Sequence, residues 1–94
     1  MIRLVIYARE TFELDTYGDE NIAIGVNALT AETAGNKTIA IGGGALAAQN
    51  SSSDTDMFNV AVGYHAGNDI TTGVQNTLIG GQAGDAITDA DFNV

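Results

Sequence analysis

Apolar and polar residues alternate in short bursts along this chain, and the bursts recur. Asn21-Ile22-Ala23-Ile24-Gly25 is followed by Thr38-Ile39-Ala40-Ile41-Gly42, Asn59-Val60-Ala61-Val62-Gly63 and Asn76-Thr77-Leu78-Ile79-Gly80. Their glycines stand 17, 21 and 17 residues apart, and Asn93-Val94 opens a fifth copy. Period-two alternation rich in β-branched residues predicts a short strand in each copy. The glycine predicts its end, because a chain without a Cβ turns there without a clash. Three residues later comes Ala28, Ala45, Ala66 or Ala83, followed by Leu29, Leu46, Gly67 or Gly84. This step begins a second short strand or a corner. Thr33, Asn50, Thr71 and Thr88 occupy the next shared column, with turn glycines at Gly35 and Gly73 in two copies.

Self-similarity at a fixed period predicts a repeat architecture. Each repeat reads as one coil of a parallel β-solenoid, advancing about 4.8 Å, the spacing between strands. The fold expected is all-β, with coils at 21–37, 38–58, 59–75 and 76–92 and a fifth starting at 93. Stacking is expected to place Ile24, Ile41, Val62 and Ile79 in one interior column, with Ile22, Ile39 and Val60 in the same core. Ala28, Ala45, Ala66 and Ala83 form a second, tighter column. The second repeat carries four extra residues, placed within Ser51 to Asp56 and expected to loop outwards. A helical reading fails, since each glycine in a helix interior costs roughly 1 kcal/mol and the apolar period is wrong. Regular β-branched columns also argue against disorder.

Residues 1–20 depart from the pattern. Ile2, Leu4 and Ile6, then Phe12 and Leu14, alternate with other residues around a turn near Ala8 to Glu10. This predicts a β-hairpin that caps the solenoid or docks onto another protein. Exposed strand edges at the ends of a stack call for such a cap.

Composition narrows the function. The chain has 94 residues, 12 Gly, 6% aromatics and no Trp or Cys. That is thin material for an isolated core and favours oligomerisation. A 17-residue ring is also too small to bury both apolar columns, so one column is expected to face sister chains in a homotrimer. Formal net charge is −9, and only Arg3, Arg9 and Lys37 are positive. Phosphate neutralisation and binding to an anionic membrane surface are therefore not expected. The longest apolar run, Leu4 to Ala8, falls far short of the roughly 20 residues a bilayer span needs. It is also too short for a secretory signal, so synthesis without export is expected.

Candidate chemistry is sparse. His65 is either a receptor contact, a ligand in a three-fold cluster, or a solvated turn residue. Tyr64 is either an exposed binding aromatic or a rung packed on its neighbours. Asp54, Asp56, Asp85, Asp89 and Asp91 offer loop oxygens for calcium or simply a solvated acidic surface. They lack the spacing of a known calcium loop, and no metal site or cofactor is expected. Gly42-Gly43-Gly44 is followed by no Lys-Ser/Thr and is not a phosphate loop. No nucleophile pairs with the single histidine, so no catalytic residues and no enzymatic activity are expected.

The repeats resemble those of phage tail fibres and of trimeric autotransporter adhesin heads. The family pattern runs roughly Asn-Thr-Ala-Val-Gly-Tyr-x-Ala-Leu-x-x-x-Thr-Thr-Gly. Asn59 to Gly63, Tyr64, Ala66 and Thr71-Thr72-Gly73 match it closely. Asn21 to Gly25, Ala28-Leu29, Thr33 and Gly35 match nearly as well. Thr38 in place of Asn, the insertion, and Gly67 and Gly84 in place of Leu depart from it. The resemblance covers about residues 21–94. It implies left-handed parallel β-rolls packed side by side in threes, in a structural and adhesive segment of a viral tail fibre. Implied partners are the sister chains, other virion or fibre proteins, and a host-surface glycan or protein. Phage fibres assemble in the host cytoplasm without an export signal or anchor, which favours a virion component over a bacterial surface adhesin fragment. Breaking off inside a copy at Asn93-Val94 is what a piece of a longer fibre would show. A small ice- or glycan-binding β-solenoid is the alternative; ice binding calls for paired threonines in register, and only Thr71-Thr72 forms such a pair.

Overall fold

The computed structural model describes residues 3–6, 20–51 and 53–94. Among them there is no helix. The strands are β1 (Arg3–Ile6), β2 (Asn21–Ile24), β3 (Gly35–Asn36), β4 (Ile39–Ile41), β5 (Thr55–Asp56), β6 (Val60–Val62) and β7 (Thr77–Ile79). All pairings among the described residues are parallel. A five-stranded sheet runs β1-β2-β4-β6-β7, and β3 pairs with β5 in a second, two-stranded sheet. The protein is thus all-β with parallel sheets, one strand of the larger sheet coming from each repeat.

The register follows the sequence columns. Ile22 lies opposite Ile39, Ile39 opposite Val60, and Val60 opposite Thr77. The backbone amides of Ile22, Ile39, Val60 and Thr77 donate to the carbonyls of Thr38, Asn59, Asn76 and Asn93 at 2.6–2.9 Å. After each strand a turn closes from the repeat glycine to the alanine three residues on. The amides of Ala28, Ala45, Ala66 and Ala83 donate to Gly25, Gly42, Gly63 and Gly80. These glycines have φ between +124° and +137°. A Cβ on Gly42 would stand 2.5 Å from the Gly63 carbonyl oxygen, so glycine is required by both torsion and space.

Which face of the strand points inwards differs from expectation. The interior column is Ala23, Ala40, Ala61 and Leu78, at most 5% exposed. Ile22, Ile24, Ile39, Ile41, Val60 and Val62 are only half-buried, and Ile79 is 68% exposed. Their columns stack in register, but on the outer face of the chain. The reason is size. Leu29, Leu46, Ile70 and Leu78 fill the core beside these positions, leaving only methyl-sized room at 23, 40 and 61. Ala28, Ala45 and Ala66 are buried as expected, and Ala83 is half-buried.

The N-terminal segment contributes one strand to the larger sheet. β1 is present, but it pairs in parallel with β2, Arg3 opposite Asn21 and Ile6 opposite Ile24. It extends the repeat sheet by one strand. The second strand of the expected hairpin, over residues 11–15, lies outside the described residues.

The departures from the repeat pattern compensate one another. Leu29 and Leu46 are fully buried, and both hold left-handed backbone, φ +54° and +50°. Such a conformation costs an L-residue about 1–2 kcal/mol. Gly67 and Gly84 occupy the same column at φ +60° without that penalty. The missing volume is refilled three residues later, where Ile70 and Ile87 replace Glu32 and Gln49. A Cβ on Gly67 would meet Leu46 at 2.8 Å and Leu78 at 3.0 Å, so the space is already taken.

Candidate functional site

Two built features emerge from the stack: a buried polar network and a surface groove. The network starts from the asparagine column. Asn21, Asn59 and Asn76 are buried, and each side-chain oxygen accepts the amide of the residue 17 positions on. Each side-chain NH2 donates to a carbonyl 14 positions on: Gly35, Gly73 or Ala90. One side chain thereby ties a rung both to the next rung and to the far side of its own repeat. Thr38 cannot span that gap, and Gln49 takes over. Its NH2 donates to Thr38 Oγ1 and to Glu32 Oε2, while its oxygen accepts from Asn59 Nδ2.

Glu32 is fully buried. Its Oε1 accepts the backbone amides of Thr33, Gly35 and Ser51 at 2.8–3.0 Å, and its Oε2 accepts from Gln49 at 2.7 Å. Four N–H donors replace the water the carboxylate lost, which is what makes its burial tolerable. The network also explains the insertion. Ser51 is buried and bound to Glu32, and Thr55–Asp56 pair with β3, so the insertion is pinned at both ends. Among the described residues of the insertion, Ser53, Asp54 and Asp56 turn to solvent as expected of an outward loop.

Asp54 and Asp56 do not stand apart as oxygen ligands. Asp54 accepts a short hydrogen bond from Asn36 Nδ2, and Asp56 pairs with Lys37 Nζ at 2.9 Å. The hydrogen bond and charge of Lys37 hold the Asp56 carboxyl below its ordinary range, and Asp56 raises Lys37 in return. Asp85, Asp89 and Asp91 are exposed; Asp91 Oδ1 accepts the Val74 amide. Among the described residues no group of three or more His, Asp or Glu is arranged to hold a metal ion.

The groove is built around Tyr64 and His65, whose rings stack with centroids 4.0 Å apart and planes within 12°. They lie against the preceding rung at Gly43 and Gly44. A Cβ on Gly44 would stand 2.4 Å from His65 Cδ2, and one on Gly43 would touch the Tyr64 ring at 3.4 Å. The glycine run is therefore the floor beneath two rings. His65 holds left-handed backbone, as do Asn27, Gly44 and Gln82 in its column. Tyr64 is 61% exposed. The shallow groove beside the pair measures about 250 Å³, with Val26 and Ala47 as apolar lining and Asn27 and Asn68 as amides. Asn68 Nδ2 donates to the Gly44 carbonyl at 3.1 Å, leaving its oxygen to accept.

Of the residues singled out from sequence, Tyr64 and His65 are brought together. Gly35 and Gly73 serve for space: a Cβ would come within 2.5 Å of Glu32 or 2.3 Å of the Ala90 oxygen. Glu32, Gln49 and the ladder role of the asparagines escaped the sequence reading. The swap of Leu-x-x-Glu/Gln for Gly-x-x-Ile between repeats was the available signal. Compared with protein-family profiles, curated proteins and solved structures, the chain matches none of them.

Proposed function

We propose that this chain is a non-enzymatic structural and adhesive segment of a surface fibre, of the phage tail-fibre kind. In this reading the repeats form a left-handed β-solenoid, and three chains pack side by side. Residues 1–20 cap the stack or join it to another fibre or virion protein. The observation that carries the proposal is the outer row of Ile22, Ile24, Ile39, Ile41, Val60, Val62 and Ile79. It is a continuous apolar stripe, in register over four rungs, on a chain whose own interior is mostly alanine. Aligned apolar stripes of this kind mark contact surfaces. Each repeat would then add length and stiffness, and association would present every surface feature three times.

The fibre would be assembled in the host cytoplasm and become part of the virion. Attachment would be to a host-surface glycan or protein, with no nucleic acid and no membrane insertion involved. Light scattering on the intact protein tests the core of this reading. The expected mass is three chains, stable on dilution to micromolar concentration. A folded protein with the mass of one chain would overturn it.

A further inference from the structure

We infer that the groove beside Tyr64 and His65 is a binding subsite for one neutral pyranose ring. The inference rests on the adhesive-fibre reading and names the ligand class of its attachment surface. Three features point to a sugar. First, an exposed tyrosine face is electron-rich and apolar, which suits the C–H face of a pyranose. Second, the amides of Asn27 and Asn68 border the same groove. An amide both donates and accepts, as sugar hydroxyls do. Third, among the described residues no carboxylate, lysine or arginine lines the groove, and the whole chain carries −9. Sialylated, sulfated and phosphorylated ligands would meet repulsion without a compensating cation.

Size limits the ligand further. About 250 Å³ lies below the roughly 300–1,000 Å³ of pockets that hold drug-sized molecules. One ring fits, with its glycosidic neighbours left outside. The glycine floor is part of the design, because any side chain at Gly43 would fill the space next to Tyr64. A single shallow subsite binds weakly. Three copies on one fibre, and many fibres on one surface, raise avidity by factors of about 10²–10⁴.

The test is saturation-transfer and ¹H–¹⁵N NMR on the intact protein. The probes are methyl β-glucoside, methyl β-galactoside and methyl N-acetyl-β-glucosaminide, with methyl glucuronide as the charged control. At least one neutral glycoside should receive saturation at its ring protons and shift amides around 26–27, 43–47 and 64–68, while the glucuronide does neither. Tyr64→Ala should weaken binding roughly tenfold, equivalent to about 1.4 kcal/mol, and Tyr64→Phe should retain it. Gly43→Val, which fills the floor but keeps the ring, should abolish binding. Failure of all three neutral probes, or binding indifferent to Tyr64→Ala and Gly43→Val, overturns the subsite. A fall in assembly mass for Tyr64→Ala also overturns it, by assigning the ring to a chain–chain contact. A three-chain mass without glycoside binding refutes the subsite and leaves the fibre reading standing; a one-chain mass with binding does the reverse.

Discussion

Replacing Ala40 or its neighbour Ile41 by aspartate should produce two different failures. Ala40 is completely buried, opposite Ala23 on one side and Ala61 on the other. A carboxylate there would enter a cluster of alanine and leucine side chains. The penalty for burying an unpaired ion is several kcal/mol, against a total stability of about 5–15 kcal/mol for a domain of this kind. Ala40→Asp should therefore unfold each chain. Ile41 projects from the other face and is half-buried. Within one chain its replacement should matter little, within about 1 kcal/mol of wild type. Between chains it removes roughly 1.5–3 kcal/mol of apolar burial per copy and brings like charges together. Ile41→Asp should therefore keep its β-type circular dichroism and lose assembly mass. Urea melts followed by circular dichroism, run beside light scattering, separate the outcomes. If Ile41→Asp unfolded the chain while Ala40→Asp did not, the inside and outside of the strand would have been assigned backwards. Full-size assemblies of Ile41→Asp would remove the stripe from the interface.

Glu32→Gln should destabilise the fold by about 1–3 kcal/mol, because its new NH2 group must face a backbone amide or the Gln49 amide already donating there. Exposed Asp69→Asn should be silent, and equal urea midpoints for the two would refute the network's importance. Gly42→Ala should lower the melting temperature sharply, since its Cβ would strike the Gly63 backbone. Gly81→Ala, with nothing within 4 Å of the new methyl, should leave it unchanged. The pair Lys37–Asp56 should contribute above the ordinary carboxylate value of 3.8 and be lost as pH falls through the lowered Asp56 value. On the alkaline side it should be lost as pH rises through the raised Lys37 value. The melting-temperature difference between wild type and Lys37→Met should accordingly stay level through neutral pH and vanish in acid; a difference that grew in acid would contradict the sign.

Period, strand type and the one alternating strand per repeat lay open in the chain itself, while the short β3–β5 pair did not. Each repeat carries its own alternation and its own glycine, and local rules of backbone geometry suffice to read them. Parallel register followed, because columns aligned by sequence became columns aligned in space, from Ile22 and Ile39 to Val60 and Thr77. The choice of inner face was a tertiary matter. Hydropathy ranks isoleucine above alanine, but Leu29, Leu46, Ile70 and Leu78 fill the core and leave only methyl-sized room at 23, 40 and 61. Glu32 was unreadable for a similar reason. A lone glutamate ordinarily belongs in water, and only the fold delivers three backbone amides and Gln49 to it. The Gly42-Gly43-Gly44 run was visible but unexplained until Tyr64 and His65, from the following repeat, came to rest on it. Sequence determines what recurs along a chain at fixed spacing. What meets across the turns depends on volume and distance, and those exist only once the rungs have stacked.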